Sequence, residues 1–287
     1  MTLNVSATRG AGARHLLTRD GVRMPRLLYG TAWKKERTAY WVETALRHGF
    51  DGIDTAGQPR HYDEAGACAG VIASQRPRER LYLQTKFTPL AGQDPGRVPY
   101  DPAAPLALQV AQSFAVSQRH LGSEHINALL LHSPLRSRDD LREVWQAMEA
   151  LVDAGTVALI GISNCYEPAQ LDALWRDARI KPSIVQNRFH AATGYDAGVR
   201  AFCRAQGMVY QSFWTLSANP HLLGSATLLA LAAAYARTPA QILFRYLIQR
   251  GVVPLTGTTS LDHLRESVAV VDFALDAGDA AAIDAIL

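Results

Sequence analysis

The sequence predicts a (β/α)8 barrel of the TIM type, and three observations carry that prediction. Eight short aliphatic or β-branched runs alternate with segments of helical period, the signature of a parallel sheet that closes on itself. No G-x-G-x-x-G turn follows the first run, which reads "YGTAW" (29–33), so an open dinucleotide-binding sheet lacks its phosphate loop. No linker rich in Pro, Gly and Ser divides the 287 residues, which leaves one domain over 1–287.

Ahead of the barrel, "HLLTRDGVRMP" (15–25) sets Asp20-Gly21 between apolar runs, a hairpin signal, and such a hairpin can cap the barrel bottom. The strands then read 26–32, 50–54, 81–87, 126–132, 157–163, 183–189, 208–214 and 252–258. Helical stretches occupy 37–48, 63–75, 104–121, 138–154, 167–177, 195–206 and 239–250. Pro239 sits at the start of the last of these, where its missing N–H costs nothing. One long irregular segment, 87–105, follows the third strand, and a loop of that length is more often functional than idle.

Net charge is +3 and the basic residues form no run, which gives no indication of nucleic acid or a membrane surface as partner. Residues 222–236, the most apolar stretch, fall short of the ~20 residues that span a bilayer. The N-terminus has no apolar core of a signal peptide. Cys68, Cys165 and Cys203 are odd in number and form no CxxC pair, so neither a metal site nor a disulfide framework is expected, and a reducing cytoplasm is. Only four of the 29 basic residues are lysines: Lys34, Lys35, Lys86 and Lys181. A lysine kept at a strand end therefore has its own reason to be there.

Barrel active sites lie at the C-terminal ends of the strands. Those ends read Asp54, Lys86, His132, Ser163 with Asn164, Gln186, Ser212 with Phe213, and Thr256. Taken singly, each has a bland explanation. Asp54 resembles a turn residue, Lys86 could snorkel to solvent, His132 could be a satisfied core histidine, and Ser163-Asn164 could form an Asx turn. Asp63 is better placed than Asp54 to cap the following helix, which leaves Asp54 unexplained. Together they predict a polar ring at one mouth.

The residue types in that ring suit carbonyl reduction. Tyr62 follows Asp54 across a loop, and an ammonium beside it would lower its ordinary pKa of about 10. Lys86 supplies the ammonium, Asp54 its counter-charge, and His132 a hydrogen bond to a carbonyl oxygen. No residue can deliver a hydride, so a nicotinamide cofactor is implied. Trp33, Phe87, Tyr100 and Trp214 follow strand ends or lie in the long loop and are expected to wall a substrate pocket, although Trp33 and Trp214 could equally pack the barrel rim.

The stretches "GFDGIDTA", "QTKFTP", "ALLLHSP", "GISN", "VQNRF" and "DFALDAGDAAAID" resemble the aldo-keto reductases, over nearly the whole chain. That resemblance implies Asp54, Tyr62, Lys86 and His132 as a catalytic tetrad, with Tyr62 the general acid. It implies Ser163, Asn164 and Gln186 as a clamp on the nicotinamide carboxamide, and Phe213 as the ring that stacks on it in place of the usual tyrosine. Leu216, Ser217, Thr256, Thr258, His263 and Ser267 follow as further dinucleotide contacts.

Three departures stand out. Tyr62 lies eight residues after Asp54 where the family spaces them by five, and His61 competes for its place; this marks a variant branch with a "DTAGQPRHYDE" loop. Leu255 and His263 stand where NADPH users carry a lysine and an arginine, so NADP(H) and NAD(H) are both expected. With the sequence ending at Leu287, no long C-terminal tail over the pocket is expected. The function read from this is NAD(P)H-dependent reduction of an aldehyde, ketone or imine. Two alternatives use the same barrel: a dinucleotide-binding regulatory or redox-neutral protein, and a lyase with Lys86 as Schiff-base nucleophile.

Overall fold

The computed structural model describes residues 13–287; the absence of a leader, read from the first residues, lies outside them. Strands β1 (His15–Leu17) and β2 (Arg23–Pro25) pair antiparallel as the expected hairpin. Its turn closes through Gly21, whose φ of +80° suits a residue without a side chain. Eight parallel strands then follow: β3 (Leu28–Gly30), β4 (Gly52–Asp54), β5 (Tyr82–Phe87), β6 (Ile126–Leu131), β7 (Val157–Ser163), β8 (Ile184–Arg188), β9 (Val209–Phe213) and β10 (Val252–Thr256). They close in the order β10-β3-β4-β5-β6-β7-β8-β9, each bonded to its sequence neighbour and β10 back to β3.

Alternation of side chains along each strand divides the apolar residues into two bodies. Leu28, Leu130, Ile184 and Val253 point into the barrel, and Met24 of the hairpin packs with them as a plug at the N-terminal end. Leu129, Ile160, Trp145 and Phe244 belong to the larger body, where strands meet helices. All seven expected helices are present. Pro168–Asp177 and Pro239–Gln249 begin on proline, and Thr238 forms a capping box with Gln241.

Helices at Ala226–Tyr235, Leu261–Val268 and Ala277–Asp284 were not among the expected ones. The first is apolar on every face and the last is short and rich in alanine, so neither shows a clean helical stripe, while Leu261–Val268 is amphipathic but spans only eight residues. No helix among the described residues is long and apolar enough to cross a membrane.

Candidate active site

The stretch after β4 explains how a longer loop still delivers a tyrosine to the mouth. Gly57 keeps pairing with β5, donating to Lys86 O at 3.0 Å, and a Cβ there would press on that oxygen at 3.2 Å. The chain then wraps around Gln58. Its Oε1 accepts from His61 N at 2.9 Å, its carbonyl accepts from Tyr62 N at 3.1 Å, and its Nε2 donates to Gly92 O at 2.9 Å. Asp63 caps helix Glu64–Ser74 by accepting from Gly66 N. Asp54 is left free of capping duty.

Beneath Tyr62, Lys86 Nζ donates to both oxygens of Asp54 at 2.7 Å and to Thr55 O at 2.8 Å. Lys86 is 1 % exposed and Asp54 3 %. All three ammonium hydrogens are committed, so the reading of Lys86 as a Schiff-base nucleophile loses its free amine. Nζ lies 5.3 Å from the Tyr62 ring centre, and the His132 ring lies 5.9 Å from Tyr62, edge to face. His61 turns away to stack on Trp33 with ring centres 3.7 Å apart.

A layer of amides supports the ion pair from below. Gln84 Nε2 and Gln186 Nε2 donate to Asp54 Oδ1 at 2.6 and 2.9 Å, and both also reach Gln211 Oε1 at 2.9 Å. Gln211 Nε2 returns a bond to Gln84 Oε1 at 3.0 Å and approaches Met24 Sδ at 3.6 Å.

The electrostatics correct one expectation. Burial, and then the Asp54 charge, push the Tyr62 phenol above its ordinary range instead of below it. The carboxylate cancels much of what the ammonium would do, and desolvation decides the sign. Lys86 is lowered by burial, with Asp54 opposing. His132 is brought down to about 3, by burial first and then by Lys86, so its imidazole is neutral. Thr88 Oγ1 lies 2.7 Å from His132 Nδ1, and the hydroxyl has no other acceptor among the described residues. The threonine therefore donates, which places the ring hydrogen on Nε2.

Tyr62, His132 and Asp54 face a cleft of about 540 Å³ at the C-terminal mouth of the barrel. Ser163, Asn164 and Gln186 line it from the ends of β7 and β8, Phe213 from the end of β9, and Leu216 and Ser217 from beyond it. Thr256 and Thr258 close the far side, with Trp33 and Trp214 at the rim. Ser163 Oγ donates to Gln186 O at 2.7 Å, and Asn164 Nδ2 to His132 O at 2.8 Å, so the clamp residues are fixed to one another. Trp33, Asn164 and Trp214 hold left-handed backbone (φ +65°, +55° and +54°), which costs about 1–3 kcal/mol each and concentrates strain at this rim.

Four expected residues lie elsewhere. Phe87 and Tyr100 are buried against each other, ring centres 5.6 Å apart, in the layer between strands and helices. Lys86 points into the barrel, so its neighbour Phe87 must point out, and Tyr100 follows it, donating to Thr88 O at 2.9 Å. His263 is exposed on helix Leu261–Val268, 3.4 Å from Thr258 Oγ1, and Ser267 is buried within that helix; neither lines the cleft.

Residues not singled out beforehand also enter the site. Lys34 follows Trp33 and lines the cleft with an ammonium bonded only to Ala32 O at 3.1 Å among the described residues. A Cβ on Gly257 would come within 3.2 Å of that ammonium and 3.0 Å of Gly30 O, so the glycine keeps a cradle open beside the charge. Arg188 also lines the cleft, two residues beyond Gln186 and so on the same inward face of β8, a spacing that could have identified it. Among the described residues no three His, Cys, Asp or Glu side chains cluster to hold a metal ion.

Comparison with known proteins gives one consistent result. The family model described as the Aldo/keto reductase family matches residues 26–287. A glyoxal reductase of Bacillus subtilis is 28% identical over 245 residues, covering 85% of this chain and 82% of its own. A 9,11-endoperoxide prostaglandin H2 reductase of Trypanosoma cruzi is 28% identical, covering 92% and 88%. A crystal structure of an aldo/keto reductase from Brucella melitensis superposes with a TM-score of 0.81 at 26% identity, over 95% of this chain and 99% of that one.

Proposed function

The chain belongs to the aldo/keto reductase family and is an NAD(P)H-dependent oxidoreductase, and from that premise we propose that it reduces a small aldehyde or ketone with Tyr62 as proton donor. One observation carries the reading: a fully buried Lys86–Asp54 pair lies under a phenol that shares a cleft with a neutral histidine.

Bound in that cleft, a nicotinamide dinucleotide supplies the hydride. This chain's residues suit such a group: Lys34 beside the Gly257 cradle offers a cation to a pyrophosphate, Phe213 a ring face, and Gln186 Oε1 an acceptor for a carboxamide. Ser163 and Asn164 hold that glutamine and the His132 carbonyl in place.

His132 Nε2–H holds the substrate oxygen, and Tyr62 gives that oxygen its proton as the carbonyl carbon is reduced, leaving an alcohol. Because burial keeps the phenol protonated, the acid is always loaded. The Lys86 ammonium over the ring favours the phenolate only as it forms, which is the differential interaction that lowers a barrier. Cys68, Cys165 and Cys203 are free thiols, in keeping with a cytoplasmic reductase of small molecules.

The test is Tyr62→Phe beside His61→Phe, with a panel of aldehydes and NADPH. Tyr62→Phe is expected to lower turnover by about 10²–10⁴-fold while NADPH still quenches the protein's fluorescence. Near-wild-type turnover in Tyr62→Phe would show that the proton comes from another group.

A further inference from the structure

The cleft carries a second cation that the reduction chemistry does not use. Arg188 ends β8 with its guanidinium stacked on the Trp214 ring, 4.1 Å from the ring centre. Its Nε is shut away from solvent with no hydrogen-bond partner, and no carboxylate among the described residues pairs with it. Arg78 also has an unpartnered Nε, but its terminal nitrogens bond Leu81 O, His125 O and Asn127 Oδ1. Arg188 has no such relief. The backbone of Trp214, held in the left-handed region at φ +54°, presents the indole face that keeps the cation at the cleft.

Charge around the cleft is one-sided. Asp54 is neutralised by Lys86, and His132 carries no charge at neutral pH. Lys34 and Arg188 are left as two cations in one cavity without a counter-ion among the described residues. They belong to separate strand ends: Lys34 sits beside Gly257 where β10 meets β3, and Arg188 sits beside Trp214 at the ends of β8 and β9. The first already matches the phosphates of a dinucleotide. The second is a planar fork, partly dehydrated and braced by an aromatic ring, the form that matches a carboxylate in two parallel hydrogen bonds.

We propose that Arg188 anchors a carboxylate on the substrate, so that the preferred substrates are aldehydes or ketones carrying a carboxylate. This rests on the reductase reading of the same cleft. The ketone or aldehyde oxygen meets Tyr62 and His132 while the distal carboxylate meets Arg188, and a neutral substrate of equal size leaves the guanidinium unpaired.

The test compares 4-carboxybenzaldehyde with 4-formylbenzamide, equal in size and different in charge, on wild type, Arg188→Gln and Arg188→Lys. In wild type KM for the carboxylate should be lower by roughly tenfold to a hundredfold, and Arg188→Gln should collapse that ratio to near one, with Arg188→Lys in between. NADPH affinity, read by fluorescence, should change little in the same variants. Benzoate against benzamide, titrated with NADPH present and followed by tryptophan fluorescence, reads the anion site without turnover.

A wild type with no preference for the carboxylate, or a ratio that survives Arg188→Gln, overturns the inference. So does a loss of NADPH affinity with the ratio intact, which would assign the guanidinium to the dinucleotide phosphates. Arg188-dependent benzoate binding without reduction of either aldehyde would sustain the anion site and sink the reductase reading instead.

Discussion

Thr88→Val removes one hydroxyl and nearly nothing else. The threonine is 3 % exposed, and its side chain bonds only His132 Nδ1 among the described residues, at 2.7 Å. Its carbonyl, which accepts from Tyr100 and Gln93, is untouched. After the change the imidazole has two options. It can keep its hydrogen on Nε2 and leave a buried acceptor unmade, at about 1–3 kcal/mol. Or it can move the hydrogen to Nδ1, and then Nε2 no longer donates to the substrate oxygen. The first option lowers stability, by about 2–4 °C in Tm for each kcal/mol. The second lowers kcat/KM by roughly tenfold to a hundredfold, since about 1.4 kcal/mol is a factor of ten.

The assay is aldehyde reduction at saturating NADPH beside a thermal melt. Long-range nitrogen–proton NMR of labelled histidines reports the tautomer. Thr88→Ser, which keeps the hydroxyl, should recover most of the rate. If the valine variant matches wild type in both rate and Tm, or if serine is as impaired as valine, Thr88 does not set the tautomer.

His132 also gives stability a pH dependence. Its pKa is about 3 in the fold, against an ordinary 6.5 when unfolded, so the unfolded state takes up the proton first and stability falls as pH drops below 6.5. At pH 5 the loss from this group is about 2 kcal/mol, and denaturant midpoints of wild type and His132→Gln should converge on acidification. Leu130→Ala, inside the barrel at 0 % exposure, should cost about 3 kcal/mol, checked by chemical denaturation, with a loss under 1 kcal/mol showing a loosely packed interior. At the 2′-phosphate end, His263 is exposed and Arg265 is paired with Asp262 at 3.1 Å. NADPH and NADH affinities measured by fluorescence titration should therefore differ by less than about tenfold, no fixed charge pair being present to separate them.

The barrel and the convergence of Asp54, Lys86, His132 and Tyr62 were legible because two periods carry them: alternation along strands, and polar residues at the ends of apolar runs. The same alternation explains the miss at Phe87. Lys86 faces inward, and the next residue on a strand faces the helices. The direction of the Tyr62 shift was not legible, because it depends on how far Asp54 neutralises Lys86 and how dry the site is. Thr88 and Lys34 escaped notice because each acts through a contact set by a loop, which no spacing in the chain reveals. Arg188 could have been found from Gln186, two residues earlier on the same face of β8.

The hairpin has a consequence beyond closing one end. Its Met24 sulfur touches Gln211, which bonds Gln84, which bonds Asp54. These links are neutral amides and a thioether, so acid or alkali finds nothing among them to ionise. Conversion of Met24 to its sulfoxide would put a strong acceptor against Gln211 and draw the amide hydrogens downward, loosening the carboxylate's hold on its lysine. Met24 is fully buried, so an oxidant reaches its sulfur only when the hairpin opens, and the damage would then be felt at the carboxylate three contacts away.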